Sequence, residues 1–283
     1  MKINTIAIAG AGVMGAGIAQ VSAMAGYKTI LFDLHQTSLD KAKVGIQKNL
    51  LKGIERGKLT EETMQNTLAN IAYTTNLMDC KAQMIIEAIV ERLDVKIALF
   101  NDLHKVNGAT CIFGTNTSSI PITQIAAGVS NPERVVGIHY FNPAHIMKLV
   151  EVVSGAQTSP EVKQIANDYV KKVGKVSINA ADAPGFIVNR VARHYYVEGL
   201  KILEEKVTDY AGVDRLMEAS GFKMGPFRLL DLIGIETNYS VTSSMFELFN
   251  YDPKFRPNRI QKQKVDAGHY GRKSGKGFYT YEG

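Results

Sequence analysis

Four polar side chains in this sequence stand where proton transfer and hydride transfer could be supported. His139 follows a short buried run, Val135 to Ile138, so its imidazole would stand just past the carboxyl end of a strand. An unperturbed pKa near neutrality suits it to take up and return a proton. Glu151 lies in an alternating stretch, Ile146 to Val153, where period two puts it on the face of Met147, Leu149 and Val153. A carboxylate on an apolar face needs a partner, because unpaired burial is costly. His139 is the nearest donor, and Glu151 could fix its tautomer and stabilise the imidazolium. Ser118 offers a hydroxyl for charge developing on a reacting oxygen. Its neighbour Ser119 reads instead as the cap of a helix entered through Pro121. Asn189, one residue past the apolar heptad position Val188, could add a side-chain amide. A base, its orienting acid and polar donors are what oxidation of an alcohol by a nicotinamide requires.

The element that would deliver the nicotinamide lies at the start. Ile6 to Ala9 reads as a buried strand, and Gly10, Ala11, Gly12, Val13, Met14 and Gly15 form G-x-G-x-x-G. An apolar-rich helix then runs to Gly26. Such a turn lets backbone approach a pyrophosphate at the positive end of the helix dipole. A second strand, Tyr27 to Phe32, ends at Asp33, placed to meet adenosine ribose hydroxyls. An acid there, with no Arg after it, favours NAD over NADP. A rival reading exists, since residues 3–27 carry no charge and Ala23-Met24-Ala25 resembles a signal-peptidase site. Glycines at 10, 12, 15 and 17 weaken the continuous apolar helix that reading needs.

Beyond Asp33, helices at 36–57 and 61–69 alternate with strands at 71–75, 84–86, 110–113 and 135–138, with a helix at 92–106. A helix at 160–173 and a last strand at 175–179 follow the 146–153 stretch. The pattern predicts an α/β, Rossmann-type, doubly wound and mainly parallel sheet. Its ligands belong at the carboxyl ends of the strands, which would bring Asp33, the Glu87-to-Glu91 loop, Thr115 to Ser118 and His139 to Pro143 to one crevice. Composition changes at Asp182-Ala183-Pro184-Gly185. Asp182 can cap and Pro184 suits a first turn, and the pattern is helical to the end. The expected division is a dinucleotide-binding domain over 1–183 and an all-helical domain over 184–283, with helices at 209–220, 226–248 and 256–267. Val188, Ala192, Tyr195, Gly199 and Ile202 follow heptad spacing, a seam that fits self-association or a core within one chain.

A chain of 283 residues with 45 % hydrophobic and 21 % charged residues is a globular composition. The formal charge of +6 fits an anionic small molecule and is too diffuse for nucleic acid. It is concentrated between Lys41 and Lys58, with six basic residues and one acid. On a helix Lys48, Lys52 and Arg56 share a face, where like charges repel; a phosphate-bearing ligand or plain solvation would each account for them. Cys80 and Cys111 read as buried thiols. No metal-ligand spacing and no later membrane-length apolar segment is present, and a cytoplasmic protein is expected. GRKSGKG lacks the order and spacing of a phosphate loop.

The chain resembles the L-3-hydroxyacyl-CoA dehydrogenases over essentially its full length, most of all the short bacterial 3-hydroxybutyryl-CoA dehydrogenases. The resemblance rests on GAGVMGAGIA (10–19), EAIVERLDVK (87–96), TNTSSI (115–120), IHYFNPAHIMKLVEVV (138–153), DAPGFIVNR (182–190), MGPF (224–227) and GRKSGKGFYTY (271–281). It implies that His139 and Glu151 are the catalytic pair and that Ser118 and Asn189 contact substrate. It implies cofactor contacts at the glycine turn, Asp33, Glu91, Lys96, Asn116, Ser118 and Asn142. It implies NAD as cofactor, an acyl-CoA between the domains, and a homodimer formed through the helical domain. The anion for Lys48, Lys52 and Arg56 would then be the CoA. Relatives with similar motifs that oxidise free sugar acids, and an NAD-binding sensor without turnover, are the alternatives.

Overall fold

A computed structural model of the chain describes residues 1–282. They form two compact units, Met1–Ala183 and the residues from Pro184 onward. The first is built on eight strands: β1 (Thr5–Ala9), β2 (Lys28–Phe32), β3 (Ile71–Thr74), β4 (Met84–Glu87), β5 (Ile112–Thr115), β6 (Val135–Tyr140), β7 (Leu149–Ser154) and β8 (Val176–Ala181). They lie in one sheet in the order β3-β2-β1-β4-β5-β6-β7-β8. Every neighbouring pair is parallel except β6 with β7. The order reverses between β1 and β4, the switch point where a doubly wound sheet opens a crevice. Ile6, Ile8, Leu31, Ile86, Ile112 and Ile138 are buried and apolar, as strands covered on both faces must be.

Helices α1 (Val13–Met24), α2 (Gln36–Glu55), α3 (Glu61–Ala69), α4 (Leu93–Asn107), α5 (Ile122–Ala127) and α6 (Pro160–Lys172) make the crossovers. Thr60 and Ser159 cap α3 and α6 by accepting the N–H of Thr63 and Val162. Ser119 does not cap α5. Asp182 does so from 60 residues away, its carboxylate accepting the Ile122 N–H at 2.8 Å and the Thr123 N–H and hydroxyl at 2.7 and 2.6 Å. The acid read as a cap for the helix after it therefore fastens one before it. Strands β5 and β6 each run two residues further than expected, so Thr115 and His139 lie within the sheet rather than beyond its edge.

The second unit holds α7 (Val188–Glu204), α8 (Tyr210–Ala219), α9 (Pro226–Ile233), α10 (Ile235–Leu248) and α11 (Arg259–Asp266). Helix α7 starts at Val188 rather than near Pro184. The long helix expected over 226–248 is two, broken at Gly234, whose φ of 105° no helix accommodates. The heptad seam is spent inside the chain: Ala192, Tyr195 and Ile202 pack on a core of Tyr196, Leu200, Phe227, Leu230 and Phe278. A Cβ at Gly199 would come 3.1 Å from Pro226. Nor is the end helical. Residues 271–280 form two bridges, held by buried Asp231, which accepts the N–H of Phe278 and Tyr279 at 2.9 Å each and the Tyr281 hydroxyl at 3.0 Å. A Cβ at Gly277 would lie 2.1 Å from that carboxylate. Close approach to Asp231, not phosphate, accounts for a glycine in GRKSGKGFYTY.

Candidate active site

At the switch point the glycine turn is shaped by contacts that exclude side chains. Gly10 has φ 103°, and a Cβ there would lie 2.6 Å from the Ala88 carbonyl oxygen. A Cβ on Gly15 would fall 1.7 Å from the Gly10 carbonyl, so α1 meets β1 only through hydrogen. Around Gly12 nothing lies within 4 Å of such an atom, which is room for a ligand. Helix α1 begins there with no side-chain cap, leaving its first N–H groups to an anion. Asp33, at the end of β2, accepts the Ala11 N–H on Oδ2 at 2.8 Å and the His35 N–H on Oδ1 at 2.9 Å. Its carboxylate is thereby fixed beside the turn, with lone pairs left over for hydroxyl donors. Open backbone, uncapped helix and fixed acid fit a dinucleotide.

Across the switch point an ion network builds the next wall. Lys96, 1 % exposed, reaches buried Glu87 at 2.6 Å and Glu91 at 3.1 Å. Glu87 also accepts the Thr115 hydroxyl at 2.8 Å. Glu91 Oε1 takes the Thr117 hydroxyl at 2.5 Å, the N–H groups of Ser118 and Ser119 at 3.0 and 3.3 Å, and the Ser119 hydroxyl at 3.2 Å. Burial would raise the Glu91 carboxyl, but the Lys96 charge and these donors outweigh it and hold it below its usual value. The Lys96 ammonium, expected to face a cofactor, is instead enclosed between two acids, and what it acts on is Glu91. The Ser118 hydroxyl makes no hydrogen bond among the described residues. Asn116 Oδ1 accepts the Tyr140 N–H at 2.8 Å, so a ligand contact would fall to its amide nitrogen. Asn142 is exposed and precedes a cis peptide to Pro143.

His139 and Glu151 face one another as direct partners in the antiparallel β6–β7 register. His139 Nδ1 stands 2.7 Å from Glu151 Oε2, with His139 5 % exposed and Glu151 fully buried. An ionised carboxylate only accepts, which puts a proton on Nδ1 and leaves the Nε2 lone pair as the base. The Phe141 ring lies 4.6 Å from the imidazole centroid.

Two clefts run along α2. One, of about 340 Å³, is lined by Gly12, Val13, Lys41, Gly45, Asn49 and His145 among others. The second, of about 430 Å³, continues past Asn49 and His145 to Lys52, Arg56 and Lys58. Of the basic face expected to serve an anion, Lys52 and Arg56 line this cleft; Lys48 does not, and Lys58 takes its place. Asn49 and His145 went unnoticed in the sequence, and Lys58 was counted in the basic stretch but not placed with this face, because the lining of a cleft is legible only once its neighbours are known. Asn189 lies half-buried in the first turn of α7. Cys80 and Cys111 are free and buried, which pushes both thiols up to about 12. Among the described residues no helix is long and apolar enough to cross a membrane.

Residues 5–183 match the model of the 3-hydroxyacyl-CoA dehydrogenase NAD binding domain, and residues 185–281 that of the 3-hydroxyacyl-CoA dehydrogenase C-terminal domain. The chain belongs to the 3-hydroxyacyl-CoA dehydrogenase family. The resemblance seen in the motifs, and with it the NAD-binding domain, is thus borne out. Within this family the chain is 44 % identical to the 3-hydroxyadipyl-CoA dehydrogenase of Escherichia coli over 99 % of its own length. It spans 60 % of that longer relative. It is 36 % identical to the mitochondrial hydroxyacyl-coenzyme A dehydrogenase of Sus scrofa, covering 99 % of this chain and 92 % of that one. The crystal structure of (S)-3-hydroxybutyryl-CoA dehydrogenase from Ralstonia eutropha superposes with a TM-score of 0.96 at 35 % identity, over all of both chains.

Proposed function

We propose that the chain catalyses the reversible NAD-dependent oxidation of a short-chain L-3-hydroxyacyl-CoA to the 3-oxoacyl-CoA, with 3-hydroxybutyryl-CoA and acetoacetyl-CoA as the simplest pair. The observation that carries this reading is the buried His139–Glu151 pair, 2.7 Å apart in register on β6 and β7. NAD would be held by Gly10 to Gly15, Asp33, Glu91, Asn116 and Asn142, and when bound it accepts the hydride from C3. His139 Nε2 takes the hydroxyl proton as that hydride leaves, and Glu151 stabilises the imidazolium. The Ser118 hydroxyl, on a loop fastened by Glu91, donates to the reacting oxygen, and Asn189 supplies a second donor. Lys52, Arg56 and Lys58 meet the phosphates of CoA. In reduction the proton returns from Nε2 to the alkoxide oxygen.

A free hydroxy acid has no use for that basic cleft. With NADH as reductant, acetoacetyl-CoA should therefore be reduced at a kcat/KM at least about a hundredfold above that of free acetoacetate. Comparable rates would favour a sugar-acid or keto-acid enzyme, and NADH binding with no turnover would favour a sensor. The name of the E. coli relative also brings forward an acyl group ending in a carboxylate. A homodimer through the helical unit and a cytoplasmic location complete the proposal.

A further inference from the structure

The two clefts along α2 share two lining residues, Asn49 and His145, and only His145 can change its charge. It stands in the segment between β6 and β7. There the Pro143 carbonyl accepts the N–H groups of Ile146 and Met147 at 2.9 Å each, closing a tight turn around His145. Ala144 is buried against α1, where a Cβ on Gly17 would come 3.0 Å from its own. The turn is thus seated on α1. His145 is half-buried, and its ring makes no hydrogen bond among the described residues.

The charges around it are of one sign. Helix α2 contributes Lys41, Lys52 and Arg56, and the loop after it Lys58, whereas α1 lines the clefts with neutral groups. Lys175, the residue before β8, is 9 % exposed and donates its ammonium to the Met147 carbonyl at 2.8 Å. Among the described residues no carboxylate lines either cleft. Burial, and after it the Lys175 charge, hold the His145 imidazole below its ordinary value of 6.5. At pH 7 it is therefore mainly neutral. A phosphate opposes both influences, because an anion within about 4–6 Å favours the imidazolium. The glycine turn borders the first cleft through Gly12 and Val13, where open N–H groups meet a dinucleotide diphosphate. The second cleft has no residue of that turn and three side-chain cations, which assigns its phosphates to CoA.

We propose that His145 is a proton-linked contact for CoA: its imidazole is neutral before the thioester binds and takes up a proton when the CoA phosphates arrive. This rests on the dehydrogenase reading above and adds a control of its substrate cleft by pH. With the bound imidazole more basic than the free one, the extra affinity is complete below the free value and disappears as pH rises through the bound value. Acyl-CoA is then gripped harder in slightly acid solution and released as the medium turns alkaline.

Calorimetric titration of the whole protein with CoA at pH 7, in buffers of different ionisation enthalpy, counts the protons. His145→Gln is titrated beside wild type, with His145→Asn in its place if the Gln variant melts early. Wild type should take up about half a proton more per CoA than the variant, and the ratio of their dissociation constants should shift by about tenfold between pH 6 and pH 8. The titrating phosphate of CoA is common to both proteins and cancels in the comparison. Equal proton counts overturn the assignment, and so does an excess that accompanies NADH instead of CoA. CoA binding with the proton excess but no turnover of acetoacetyl-CoA would leave this contact standing and end the dehydrogenase reading. Failure to bind CoA at all would end both.

Discussion

The Nδ1 proton of His139 is aimed at a carboxylate with no contact to solvent, so each group constrains the other. Glu151 can remain ionised in the sheet only while a donor answers it, and the imidazole can present Nε2 only while Nδ1 is held. His139→Gln should lower kcat by about 10²–10⁴ with NADH affinity within a few-fold of wild type. Glu151→Gln should cost about a hundredfold, also in kcat, because the ring stays but its tautomer is no longer dictated. Stopped-flow turnover beside NADH fluorescence titration reads both, and unchanged turnover in His139→Gln would remove it from the chemistry. This pair was legible before any coordinates, because period-two alternation exposed a misplaced acid beside a strand-end base. Lys96 was not: its partners are set by how β4 meets α4, and nothing local says that its charge is spent within the protein. Asp182 misled for a related reason, since its partners lie 59 and 60 positions away.

At the level of elements, two of the motif glycines, Gly12 and Gly15, have separable duties that one experiment distinguishes. Gly15 is where α1 touches β1, and Gly15→Ala forces a methyl to 1.7 Å from the Gly10 carbonyl. That strain should lower stability by about 1–3 kcal/mol and weaken NADH binding together. Gly12 has an ordinary φ of −67° and open space beyond it. Gly12→Ala should therefore keep its melting temperature while NADH affinity falls at least about tenfold, because the added methyl occupies ligand space. Thermal melts beside NADH titrations would contradict this if Gly12→Ala melted as early as Gly15→Ala. Strand and helix identities followed from composition and punctuation, whereas their ends did not. Gly234 divides a stretch whose apolar pattern runs on without interruption, and only its φ of 105° shows the break.

For the molecule as a whole, acid should weaken the wall between the β4 and β5 loops. Glu91 has a carboxyl held below 4.5 in the folded chain, because the Lys96 charge and the Thr117 and Ser118 donors outweigh its burial. The stability it contributes is present above the unfolded value near 4.5 and is lost as pH falls through the lower folded value. The gap in urea midpoint between wild type and Glu91→Gln should thus be widest near neutral pH and close below about pH 4. A gap independent of pH would mean that charge at position 91 plays no part. The doubly wound, mainly parallel sheet was legible through alternation with helices, and the reversal of β7 was not, since a strand's direction leaves no mark on its own residues.

That reversal has a consequence for how the gene can change. His139 and Glu151 meet across β6 and β7 only while residues 141–148 keep their number. One residue added or removed there would set Val150 or Val152 against the imidazole and swing the acid to the opposite side of the sheet. The polypeptide could still close its hydrogen-bonded ladder and look intact to any spectroscopic assay of folding. Loop length, usually the most permissive feature of a surface, is here an inherited constant of the reaction centre.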